Sequence, residues 1–96
     1  MERLLSSKSI KTQLELFSEW QLNKKETELT RTFTFPSFVT ALAFVAKVAV
    51  HAEVLNHHPE ILLSYGKVKV TLTTHESKGL TKRDFELAKK IDQLKI

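Results

Sequence analysis

ELTRTFTFPSFVTALAFVAKVAVHAEVLNHHP, residues 28–59, is the stretch whose reading decides the fold. Its first eight residues alternate. Leu29, Phe33 and Phe35 fall on one face and Thr30, Thr32 and Thr34 on the other, the two-residue period of a strand rich in β-branched and aromatic side chains. Arg31 falls on the apolar face, where its stem can pack while the guanidinium reaches water or a carboxylate. Pro36 suits the first turn of a helix, and from Ser37 the period becomes helical. Phe38, Leu42, Val45, Ala49 and Ala52 make one stripe, widened by Ala41, Val48 and Leu55. An apolar face this broad needs a sheet to cover. Pro59 biases His58 away from the helical region, so His57-His58 reads as a helix end.

On the N-terminal side, Ile10, Leu14 and Phe17 predict a short amphipathic helix over Ser7 to Phe17, with Ser7 or Ser9 as N-cap. Trp20 and Leu22 suit a strand within Ser18 to Asn23, and Lys24 to Thr27 should turn. On the C-terminal side, Ile61 to Tyr65 and Val68 to Thr74 are strand-like runs separated by Gly66-Lys67, a hairpin signature. Val68, Val70 and Leu72 are expected to face the core. Thr81, with Asp84 three residues on, reads as a capping box opening a final helix lined by Phe85, Ala88 and Ile91. The order αββαββα predicts an α+β fold: a four-stranded antiparallel sheet with helices packed on one face, the other face left for a ligand or a second subunit. No internal repeat, phosphate loop or linker interrupts the chain, so residues 1–96 read as one domain.

Composition narrows the function classes. The absence of cysteine excludes disulfide stapling and a thiolate metal site, and fits a reducing compartment. Fifteen Lys and Arg against eleven Asp and Glu give a net charge of +4. The lysines run from Lys8 to Lys95 with acids interleaved, which favours a solvated basic surface over a nucleic-acid face. The N-terminus lacks the apolar core of a signal peptide, and the run Phe38 to Val50 contains Lys47 and reads as too short to span a bilayer. A cytoplasmic protein, with no membrane or direct nucleic-acid partner, is expected.

Chemistry concentrates in Glu53 to Asp84, which holds three of the four histidines. Glu53 and His57 are spaced to touch on one helix face if the helix reaches His57. The neighbouring imidazole of His58 should then diverge from that of His57. A hairpin can return His75 to the same end of the sheet, and Asp84 stands at a helix start. Three imidazoles and two carboxylates held by rigid elements are what general acid/base chemistry requires. Two histidines and a carboxylate can also ligate zinc or iron, but diverging imidazoles and the lack of a helical His-x-x-x-His pair favour acid/base work without a metal.

The pattern Glu53, His57-His58-Pro59, Tyr65, Thr74-His75-Glu76, Gly79-Leu80-Thr81 and Asp84 resembles the pterin-4a-carbinolamine dehydratase family. Leu29 to Phe35, with Phe38 and Ala41, resembles the family's second strand and central helix, so the likeness spans about the whole chain. It implies dehydration of 4a-hydroxytetrahydropterin to quinonoid dihydropterin, in support of tetrahydropterin recycling, with no cofactor or metal. By the matching positions His57 and His75 are the acid/base groups, and His58 chiefly binds and orients the pterin. Glu53, Pro59 and Asp84 are implied as substrate-binding or orienting residues, with Glu53 and Asp84 fixing or polarising the imidazoles. Homodimers or homotetramers are implied. The alternative, which the resemblance also carries, is a dimerisation or transcriptional accessory module without catalysis. Ile61, where many members have an aromatic residue, and Glu19, where glycine is common, depart from the pattern.

Overall fold

The structure is a computed structural model that describes residues 2–95. Its elements are α1 (Ser7–Leu14), β1 (Gln21–Leu22), β2 (Leu29–Thr34), α2 (Phe38–Leu55), β3 (Glu60–Ser64), β4 (Lys67–Leu72), a 3₁₀ turn at His75–Ser77, and α3 (Lys82–Asp92). The strands form one antiparallel sheet in the order β1-β2-β4-β3, with the helices on one face, the expected α+β arrangement.

Alternation in β2 and β4 sets which side chains meet the helices. Leu29 pairs with Leu72, Arg31 with Val70 and Phe33 with Val68, and every apolar member of these pairs is buried. They pack with Ile10 of α1, Ala41, Phe44 and Val48 of α2, and Phe85, Leu87, Ala88 and Ile91 of α3. Removing a Leu- or Phe-sized side chain from water contributes about 1.5–3 kcal/mol, so this layer supplies most of the driving force. Arg31 behaves as its position predicts. Its guanidinium carbon lies 4.4 Å from the Phe33 ring centroid, and Nη1 donates to Asp92 Oδ1 at 2.8 Å. The same oxygen accepts from Nε1 of buried Trp20 at 2.9 Å, which ties α3 to β2 and to the residue that leads into β1.

Several expectations shift. Ser6, rather than Ser7 or Ser9, caps α1 by accepting from the Ser9 N–H. That helix stops at Leu14, because backbone bonds from Phe17 to Leu14 and from Trp20 to Phe17 coil residues 15–20 into turns and leave β1 only two residues. The hairpin turn is Tyr65-Gly66, one residue earlier than read, since Ser64 still pairs with Lys67. Gly66 has φ +71°, and a Cβ there would lie 3.1 Å from Phe35 O, so both conformation and space call for glycine.

The largest correction concerns α2. Its buried face is Ala41, Phe44, Val48 and Ala52, whereas Phe38 and Leu42 of the predicted stripe are about half exposed and Ala49 is exposed. Val39, Val50 and Val54 are more exposed still. The helix is apolar nearly all round, so periodicity does not choose the inward side. Aromatic packing does: the Phe44 ring centroid lies 4.6 Å from that of Phe33 and 5.1 Å from that of Phe35. The helix continues past the run Phe38 to Val50 to Leu55, and at 18 residues α2 is long and apolar enough to cross a membrane. Its buried stripe against the sheet makes it the core helix of this fold.

Candidate active site

The C-terminus of α2 shapes the site. Asn56 adopts the left-handed conformation (φ 51°, ψ 45°), its N–H bonds Glu53 O, and the His57 N–H bonds Ala52 O. This is a Schellman ending, with asparagine in the position usually held by glycine. Such a turn reverses the chain within two residues. His57 is thereby carried inward, to 6% exposure, while His58 stays on the surface.

Opposite this end, Thr81 and Asp84 form the expected capping box at the start of α3. Asp84 does more than cap. It is fully buried; Oδ2 accepts from Thr81 N at 2.9 Å and from Thr74 Oγ1 at 2.8 Å, and Oδ1 lies 2.6 Å from His57 Nε2. A carboxylate accepts only, so His57 donates from Nε2. Nδ1 is the nitrogen left for exchange with a bound molecule. Thr74 and Thr81 are also fully buried and bonded to each other at 2.8 Å, which locks the carboxylate on three sides.

His58 Nε2 bonds Glu53 Oε2, and both side chains are largely exposed. The expected Glu53–His57 contact is therefore replaced by Glu53–His58: the helix ends at Leu55, and the turn at Asn56 swings His57 away from the Glu53 face. The adjacent imidazoles do diverge, each toward its own carboxylate. His75 begins the 3₁₀ turn two residues beyond Thr73 rather than closing β4, and remains exposed. Asn56, His57, His58, Thr73, His75, Glu76 and Arg83 line one cavity of about 290 Å³. The three histidines thus meet at one opening, with Glu53 and Asp84 behind two of them.

Pro59 is half-buried and does not line the cavity; its place is in the segment that leads from His58 into β3. Tyr65, part of the recognised pattern, is 77% exposed at the hairpin tip, and His51 sits on α2 away from the cavity. Among the described residues no group of three or more His, Asp or Glu side chains is arranged to hold a metal ion. Asn56, Thr73, Thr74, Glu76 and Arg83 were not singled out from the sequence for lining or supporting roles. Asn56 is detectable as the residue type that best tolerates a left-handed helix end after glycine. Thr74 falls in the recognised pattern without its bond to Asp84 following from it, and Arg83 carries no local signal, because its partners lie across the fold.

A buried histidine–carboxylate pair thus stands beside two further imidazoles at one cavity, on an α+β sheet of this topology. The family model for pterin 4 alpha carbinolamine dehydratase matches residues 3–94. A Nostoc punctiforme protein provisionally named pterin-4-alpha-carbinolamine dehydratase is 43% identical over 95 residues, covering 99% of this chain and all of its own length. One from Picosynechococcus sp., named in the same way, is 45% identical over 94 residues, covering 98% of this chain and all of its own. Among solved structures, a transcriptional coactivator/pterin dehydratase from Brucella melitensis superposes with a TM-score of 0.88 at 37% identity, covering 94% of this chain and 96% of that one. A pterin dehydratase-like protein described as a RuBisCO assembly factor of the alpha-carboxysome superposes with a TM-score of 0.66 at 25% identity, covering 77% of this chain and 86% of that one. The chain belongs to the pterin-4a-carbinolamine dehydratase family.

Proposed function

We propose that this chain dehydrates 4a-hydroxytetrahydropterin to quinonoid dihydropterin and water, in support of tetrahydropterin recycling. The observation that carries the reading is the buried His57–Asp84 pair, which opens on a cavity shared with His58 and His75. In the elimination the C4a–O bond breaks, a proton joins the departing hydroxyl to give water, and the N5 proton is lost as the C4a=N5 bond forms. His57, oriented through Nε2 by Asp84, and His75 across the cavity are the acid and base. His58, held by Glu53 at the rim, binds and orients the pterin. Positioned acid/base groups of this kind contribute about 10²–10⁴-fold each.

Residues 1–96 are read as one such domain, which the family match over residues 3–94 supports, and as acting in the cytoplasm. Self-association into a homodimer or homotetramer is supported by the exposed apolar side of α2, where Val39, Val50 and Val54 are each more than 60% exposed. The same surface favours a second reading, an accessory module that binds another protein; two structural relatives described as a transcriptional coactivator and an assembly factor support it. The two readings separate on one experiment. Purified protein is mixed with 4a-hydroxytetrahydropterin made in place by a hydroxylase, and the decay is followed by ultraviolet absorbance. Acceleration over the spontaneous rate supports the dehydratase; none supports the module.

A further inference from the structure

We propose that Arg83 is a positioning residue for the two adjacent histidines, acting as a clamp on the end of α2. This inference rests on the dehydratase reading and concerns how that same site is held. The Schellman turn satisfies Ala52 O and Glu53 O but not the carbonyls that follow. Arg83 Nη2 donates to Leu55 O at 2.7 Å and to Asn56 O at 2.5 Å. Those are the last two carbonyls before His57, so the guanidinium grips the left-handed residue from both sides. A cation at a helix C-terminus is favourably placed, and the planar guanidinium holds two acceptors in fixed directions.

The neighbours of Arg83 make the clamp directional. The next residue, Asp84, holds His57 from the other side of the turn. One short segment of α3 therefore fixes both the backbone that launches His57-His58 and the ring of His57. Asparagine in a left-handed conformation lacks the freedom of glycine but still has extended alternatives. Without the clamp the peptide after Asn56 is held only by the His57 N–H bond to Ala52 O, and a tilt of its freed carbonyl moves both imidazoles. Arg83 also borders the cavity, and only Nη2 of its nitrogens is engaged on these carbonyls.

The test uses Arg83→Met, which keeps the aliphatic stem, and Arg83→Lys, which keeps the charge without the fork. Folding is checked by circular dichroism, and the imidazole signals of His57, His58 and His51 are recorded by NMR. Misplacement of catalytic groups by about 1 Å costs on the order of 100-fold, so kcat of Arg83→Met should fall about 10–100-fold with KM changed far less. Arg83→Lys should recover part of the rate, and added guanidinium ion should partly rescue Arg83→Met. The signals of His57 and His58 should shift while that of His51 stays. A lowered melting temperature with unchanged kcat would reduce Arg83 to a helix cap, and a raised KM at constant kcat would make it a substrate contact; either overturns the clamp. The NMR arm stands without activity: if the wild-type chain has no dehydratase activity, unmoved His57 and His58 signals in a folded Arg83→Met still sink the proposal.

Discussion

Asp84 Oδ1 lies 2.6 Å from His57 Nε2, joining the first turn of α3 to the second residue after α2, with the carboxylate fully buried and the imidazole nearly so. Three donors converge on that carboxylate: His57 Nε2, Thr74 Oγ1 and Thr81 N. In Asp84→Asn one carboxylate oxygen becomes an NH₂ donor, so at least one of the three loses its acceptor in the interior. A stability loss of about 1–3 kcal/mol is expected, read as a lower urea midpoint. Turnover should fall as well, because the ring loses its orienting charge.

The three histidines should not respond alike. His57→Ala and His75→Ala are expected to lower kcat by about 10²–10⁴-fold each. His58→Ala should chiefly raise KM, since His58 stands exposed at the rim with Glu53 as its partner. Steady-state kinetics on the three variants checks this, and equal losses of kcat at constant KM would contradict the division of roles.

The Trp20–Asp92–Arg31 junction should affect stability alone. Asp92→Leu leaves the buried Trp20 N–H without its acceptor and frees Arg31, at a cost of about 1–3 kcal/mol. None of the three residues lines the cavity. The urea midpoint should therefore drop while kcat and KM of the folded variant remain those of the wild type.

Gly66→Ala should destabilise by about 1–2 kcal/mol, the cost of a left-handed backbone for a residue with a Cβ, increased by the close approach of Phe35 O. Activity at low temperature should be unchanged, because the turn lies at the other end of the β3–β4 hairpin from His57 and His75. Thermal denaturation checks the first statement and the dehydration assay the second.

How much of this was legible in the sequence depends on the range of the interaction. The alternation of Leu29 to Thr34 and the capping box of Thr81 and Asp84 are local patterns, and both read correctly. The inward side of α2 was read in part: Ala41, Val48 and Ala52 are buried as expected, but Phe38, Leu42 and Ala49 are not, since a helix with valine and alanine on every face carries little periodic signal; Phe33 and Phe35, distant in sequence from most of the helix, select Phe44. At the site, the family motif drew attention to His57, His58, His75, Glu53 and Asp84. Their pairing did not follow from spacing. The i, i+4 relation of Glu53 and His57 presumes that the helix continues, and one left-handed residue, Asn56, exchanges His57 for His58 as the partner of Glu53. Thr74 and Arg83 act through partners 10 and 27–28 residues away, beyond any local pattern.

The most direct test of the central claim is the decay of 4a-hydroxytetrahydropterin, followed by ultraviolet absorbance in the presence of a chelator, with wild-type protein and His57→Ala side by side. The account predicts acceleration by the wild type that survives the chelator and is largely lost in the variant. Decay at the spontaneous rate with folded wild-type protein, or equal acceleration by His57→Ala, would contradict it.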